Sequence, residues 1–118
     1  MSGPRFKKVT DEAKRNISEI SVGDAAKRQA DGALLVDVRE ADEFAKGHAK
    51  GAVGLSKGVL ELKIEAMAPD DSTPILCYCG GGSRSALAAE SLKRMGYTDV
   101  ASVVGGFKAW QEAGLPTE

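Results

Sequence analysis

Short apolar runs recur along the chain and constrain its fold more than any other feature: Ala33-Leu34-Leu35-Val36-Asp37-Val38, Thr73-Pro74-Ile75-Leu76-Cys77-Tyr78-Cys79 and Val100-Ala101-Ser102-Val103-Val104. Each is too short for a buried helix and lacks the polar alternation of a half-solvated strand, so each reads as a strand covered on both faces. Weaker strand candidates lie at Ser18-Glu19-Ile20-Ser21 and Gly51-Ala52-Val53-Gly54-Leu55. The segments between have helical character. Ser21 or Val22 to Ala30 closes at Asp31-Gly32, Glu40 to Lys46 at Gly47, Gly58 to Met67 before Pro69, and Phe107 to Ala113 at Gly114 and Pro116. Ser83 to Met95 sets Leu87, Ala88, Leu92 and Met95 on one stripe before Gly96. Strands alternating with helices imply βαβ units, hence an α/β fold with an open parallel sheet and helices on both faces. Ahead of this unit, 17–118, residues 1–16 form an N-terminal segment. In it Thr10-Asp11-Glu12 opens a short surface helix to Arg15, after a frayed Met1–Lys8.

With 118 residues there is room for one core. Sixteen Lys and Arg face 17 Asp and Glu, so there is no basic excess of the kind that draws a protein onto nucleic acid. The apolar runs fall far short of the ~20 residues that cross a bilayer, and no membrane association is expected. Acids at Asp11 and Glu12 stand where a secretory leader would need its apolar stretch. Two cysteines and one histidine are too few for a four-ligand zinc site unless carboxylates fill in. The expectation is a cytoplasmic, reducing environment in which Cys77 and Cys79 are thiols, with neither metal nor organic cofactor.

In open parallel sheets, ligands bind where strands hand over to helices at their carboxyl ends. Cys79-Gly80-Gly81-Gly82-Ser83-Arg84-Ser85 stands at such a handover. Three glycines permit positive φ and remove side chains that would crowd a central atom, so that successive N–H groups converge on one anion. The following helix aims its positive end at the same point. A thiol placed there is a stronger acid than free cysteine at ~8.5, and Cys79 reads as a nucleophile. A Walker loop needs Lys and then Ser or Thr after its last glycine, whereas Gly82 is followed by Ser83-Arg84. A dinucleotide fingerprint needs glycine where Ser85 stands. The plain alternative is a tight turn beside a passive core thiol.

Three separated motifs, in this order, make the chain resemble the single-domain rhodaneses. They are Leu35-Val36-Asp37-Val38-Arg39-Glu40 with Glu43-Phe44 and Gly47-His48-Ala49-Lys50-Gly51-Ala52; the Cys79 to Ser85 loop; and Gly96-Tyr97, Val103, Gly105-Gly106-Phe107, Trp110 and Gly114-Leu115-Pro116. The resemblance implies a five-stranded parallel sheet and a sulfurtransferase. Cys79 would take a sulfane sulfur from a small donor such as thiosulfate or glutathione persulfide, hold it as a persulfide in the loop, and pass it to a thiophilic acceptor: cyanide, a thiol or a protein thiol. A persulfide carrier or sensor serving one protein partner is the alternative. Ala49-Lys50 departs from the usual apolar residue and proline. The same fold hosts a phosphatase branch whose loop between Cys and Arg is one residue longer. Four residues separate Cys79 from Arg84 and six separate Cys77 from it, and neither count fits that branch.

Supporting residues carry two readings each. Asp37, at the end of a buried strand, must be paired or hydrogen-bonded, and with Arg39 it shapes the site's floor or braces nearby loops. Arg84 attracts anionic donors or pairs with an acid to hold the loop closed. Ser85 follows in the same loop. His48 shuttles protons or fixes a turn, Cys77 belongs to the core, and Phe107 and Trp110 pack onto the sheet.

Overall fold

The computed structural model describes residues 3–118. Its elements run α1 (Pro4–Arg15), β1 (Ser18–Ile20), α2 (Val22–Ala30), β2 (Leu34–Asp37), α3 (Ala41–Lys46), β3 (Val53–Gly54), α4 (Leu60–Met67), β4 (Ile75–Tyr78), α5 (Ser83–Arg94), β5 (Val100–Val103) and α6 (Gly106–Glu112). The five strands form one sheet in the order β1-β5-β4-β2-β3, with every pairing parallel. β4 is therefore the central strand, and its carboxyl end is flanked by β2 and β5. That end is where Cys79 sits.

The strands separate two apolar layers because successive side chains point to opposite faces. Val36, Cys77 and Val100 pack with Leu60, Ile64, Ala88 and Leu92 of α4 and α5. On the other face Leu35, Leu76, Tyr78, Ala101 and Val103 pack with Ala25 of α2 and with Phe107 and Trp110 of α6. Cys77 is fully buried and Trp110 nearly so, which places both in the core. At the margin of the second layer the Trp110 indole N–H donates to the Pro116 carbonyl at 2.8 Å.

α1 is longer than the sequence signals suggest. It starts at Pro4, whose missing N–H costs nothing in a first helical turn, so residues 4–8 are helical and not frayed. Residues 1 and 2 of the expected frayed stretch lie outside the described residues. Thr10 does not cap the helix. It lies inside it, buried, with its hydroxyl donating to the Lys7 carbonyl at 3.0 Å. Burial of Thr10 and Ala13 where α1 packs along α5 supplies the stabilisation that local signals do not show. The departure at Ala49-Lys50 has a local counterpart. The Lys50 N–H donates to the Pro116 carbonyl at 2.9 Å, a bond that proline could not make.

Candidate active site

Cys79 follows directly on β4 and is 1 % exposed. The chain then turns through Gly80–Gly82 into α5, wrapping backbone amides around the sulfur. Gly82 N–H donates to Cys79 Sγ at 3.1 Å and Ser85 N–H at 3.3 Å, and the Ser85 hydroxyl lies 3.5 Å away. Only one of the three glycines needs glycine's freedom: Gly82 has φ +106°, while Gly80 and Gly81 have ordinary negative-side backbones. Gly82 is also where the loop meets the next one, since a Cβ there would stand 3.4 Å from the Gly105 nitrogen. Of the positive φ that three glycines permit, the loop uses one. At Gly80 a Cβ would stand 3.4 Å from Arg84 Nη2, and at Gly81 it would meet nothing within 4 Å.

Burial pushes the Cys79 thiol up, and the Ser85 hydroxyl and the amides of Ser85, Gly82 and Gly81 more than offset it, so the thiol ends below its ordinary value. Cys77 shows burial without that cradle: its thiol is pushed up to about 12. Two cysteines two residues apart therefore differ in kind, one an inert core thiol and the other an acidic one.

Arg84 is held by an acid from another element. It pairs with Glu43 of α3, Nη1 to Oε1 at 3.0 Å and Nη2 to Oε2 at 3.4 Å. Of its two sequence readings, pairing with an acid to hold the loop is the one the geometry realises. Ser83, the first residue of α5, lies on the outer side of the loop. It lines a cavity of about 360 Å³ together with Phe6, Lys7, Thr10, Asp11 and Lys14 of α1.

Asp37 and Arg39 form a buried pair below the loop. Arg39 Nε lies 3.1 Å from both Asp37 carboxylate oxygens, and Nη2 donates to Oδ2 at 2.8 Å and to the Gly47 carbonyl at 2.6 Å. The guanidinium stacks under Phe107, 4.4 Å from the ring centre. Phe107 N–H in turn donates to the Cys79 carbonyl at 2.7 Å, and Lys108 N–H to that of Gly80 at 3.3 Å. Asp37 and Arg39 thus brace the floor through α6 and make no contact with the sulfur. His48 is spent on the Phe44 carbonyl, 2.9 Å from Nδ1, and on Glu118.

Three residues of the site escape the sequence reading as site residues. Glu43, Gly106 and Ser102 come from three different elements. Gly106 has φ +55°, and a Cβ on it would collide with the Cys79 carbonyl oxygen. Its one signal was the Gly105-Gly106 pair directly after a strand. Ser102, a polar residue in the middle of an apolar strand, was also visible. Its buried hydroxyl lies 2.8 Å from that of Ser85.

Comparison with known proteins gives the architecture a family. The rhodanese-like domain matches residues 21–113. The chain belongs to the rhodanese-like family. It is 38% identical over 103 residues to the thiosulfate sulfurtransferase GlpE of Haemophilus influenzae, covering 87% of this chain and 96% of that one. It is 35% identical over 117 residues to the chloroplastic thiosulfate sulfurtransferase 16 of Arabidopsis thaliana, covering 91% and 98%. Among solved structures, the polysulfide-sulfur transferase homodimer of Wolinella succinogenes superposes with a TM-score of 0.83 at 30% identity, over 97% of this chain and 87% of that one. A Rhodopseudomonas palustris protein described as a possible tyrosine phosphatase reaches a TM-score of 0.88 at 34% identity, over 100% and 98%. Four residues separate Cys79 from Arg84 in this chain.

Proposed function

We propose that Cys79 is the nucleophile of a rhodanese-type sulfurtransferase, supported by the cradle of Gly82 and Ser85 amides on its sulfur. The chain is a sulfurtransferase of the thiosulfate type, like its GlpE relatives. In the first half-reaction the Cys79 thiolate attacks the outer sulfur of thiosulfate, the S–S bond of the donor breaks, and sulfite leaves with the electron pair. The product is Cys79–S–S⁻. In the second, a nucleophilic acceptor such as cyanide or a thiolate attacks the outer sulfur and Cys79 leaves as thiolate. Both halves conserve charge and neither needs a proton. What they need is a site that stabilises one negative sulfur before and after it gains a neighbour, and converging amides of Gly81, Gly82 and Ser85 do this. The residues that hold the loop are Gly80, Gly81, Gly82, Ser83, Arg84 and Ser85, with Asp37 and Arg39 as supports beneath it.

Two donors fit, with different affinities. Thiosulfate is a dianion and gains most from a cationic mouth. The Arg84 charge is paired with Glu43, and in the neighbouring cavity that Ser83 lines Lys7 is paired with Asp11 at 2.6 Å, which leaves Lys14 as the cation on that wall. Thiosulfate is accordingly turned over with weak apparent affinity, and a low-molecular-weight or protein persulfide is the better donor.

The deciding experiment is intact mass after incubation with thiosulfate or glutathione persulfide. One added sulfur is expected on the unaltered protein and on Cys77→Ser, and none on Cys79→Ser, which keeps its fold but loses transfer. Added sulfur on Cys77, turnover by Cys79→Ser, or Cys79-dependent hydrolysis of an aryl phosphate would refute the assignment. The last is expected to be negligible because the short loop does not surround a phosphoryl group with its amides.

A further inference from the structure

Behind the sulfur, away from the loop mouth, lies a chain of two buried hydroxyls. Cys79 Sγ is 3.5 Å from Ser85 Oγ, and Ser85 Oγ is 2.8 Å from Ser102 Oγ. Ser85 and Ser102 are both completely buried. β5 presents Ser102 opposite Cys77 of β4, so it faces the α5 layer, the side on which Cys77 and Cys79 pack with Ala88 and Leu92. Among the described residues the Ser102 hydroxyl makes no second hydrogen bond. A serine there is otherwise hard to explain, because its row neighbour on the central strand is Cys77, buried in an apolar layer, and a buried hydroxyl costs free energy unless it is satisfied.

Counting protons shows what the chain favours. With Cys79 as a thiol, the two contacts have three protons to accommodate, from the sulfur, Ser85 and Ser102, and one proton is left over in a dry interior. With Cys79 as a thiolate there are two protons for two contacts. Ser102 O–H donates to Ser85 Oγ, Ser85 O–H donates to the sulfur, and every polar hydrogen is used. Donation from Ser102 also polarises the Ser85 hydroxyl and strengthens its own donation.

We propose that Ser102 is a positioning residue for the Cys79 thiolate, acting entirely through Ser85 by fixing the direction in which the Ser85 hydroxyl donates. The inference rests on the reading of Cys79 as the nucleophile. It assigns to β5, an element that never touches the reacting sulfur, a share in setting its charge. The amide donors come from the loop and can be read from its sequence, whereas the hydroxyl donor is oriented by a residue 17 positions further along the chain than the serine that carries it.

The test is titration of the thiolate by its ultraviolet absorbance, which needs no access to the buried sulfur. Cys77, pushed up to about 12, does not titrate in the same window, and Tyr78 and Tyr97 are both raised out of it. Ser102→Ala is expected to raise the Cys79 midpoint by about half a unit to one unit, the worth of one net hydrogen bond. Ser85→Ala is expected to raise it at least as far, and the double variant no further than Ser85→Ala alone. A folded Ser102→Ala protein with the unaltered midpoint, or a double variant in which the two shifts add, would overturn the proposal. The unaltered protein supplies a readout that does not depend on any variant folding: the Ser102 Cβ resonance should titrate with the midpoint seen in the thiolate absorbance, and a flat resonance would also overturn it. Absence of a Cys79 persulfide after donor treatment would instead refute the function and leave these titrations standing.

Discussion

At Gly106 one methyl group would reach the backbone of Cys79 itself. A Cβ there meets the Cys79 carbonyl and lies 2.9 Å from the Gly80 carbonyl carbon, on a residue whose φ of +55° already disfavours a side chain. Gly106→Ala should cost on the order of 2 kcal/mol or more in stability and most of the activity. Gly81→Ala, where a Cβ meets nothing within 4 Å, should change stability by less than about 0.5 kcal/mol. Denaturant titration of both variants checks the contrast, and equal losses would contradict it. The pH dependence also belongs to single residues. The thiolate is the reactive form and its pKa is lowered in the fold. The single-turnover rate of persulfide formation should therefore reach its plateau at a lower pH than a free cysteine would allow and fall about tenfold per unit below the lowered midpoint. By linkage the same shift adds stability above the unfolded-chain value, and that stability is lost as pH falls through the folded one. An acid limb centred at or above the ~8.5 of free cysteine would contradict the amide cradle.

Helices α1, α3 and α6 each do something for the loop that the loop cannot do alone. α6 donates its first amides to the carbonyls of Cys79 and Gly80, fixing the peptide on the far side of the sulfur. α3 holds Arg84 through Glu43, a pair whose side chains are 36% and 37% exposed. Such a pair is worth well under ~1 kcal/mol once solvent screens it, so it orients the loop more than it stabilises the molecule. α1 walls the cavity at Ser83 and contributes Lys14. Lys14→Gln should raise KM for thiosulfate about two- to fivefold, leave kcat unchanged, and lose its effect as salt is added. An unchanged KM at low ionic strength would remove α1 from donor binding.

On the scale of the whole molecule, the site stands on the Asp37–Arg39 pair, which ties the end of β2 to the turn at Gly47 and to the underside of Phe107. Asp37 is completely buried, and removing its partner leaves a carboxylate with no counter-charge in the interior. Arg39→Ala should cost about 3–5 kcal/mol, and Arg39→Lys should recover only part of it because an ammonium cannot reproduce the forked contact. The check is chemical denaturation of both variants, with a loss below about 1 kcal/mol for Arg39→Ala standing against this account. Because Phe107 carries the amide that binds the Cys79 carbonyl, transfer activity should fall together with stability.

The order of strands and helices was legible along the chain because β2, β4 and β5 are short apolar runs buried on both faces and α2 to α6 each end at glycine or ahead of proline, which are local signals. The amide cradle around Cys79 was legible for the same reason: Cys79 to Ser85 is one continuous segment. α1 was only partly legible, since burial of Thr10 and Ala13 against α5, and not local propensity, makes residues 4–8 helical. The partners of the loop were decided by tertiary structure alone. Glu43 meets Arg84 across 41 positions, Ser102 meets Ser85 across 17, and Gly106 must be glycine only because Cys79 lies against it. A sequence states what each segment prefers on its own. Which carboxylate, hydroxyl or bare Cα lies against a given loop depends on how strands from distant parts of the chain are ordered in the sheet.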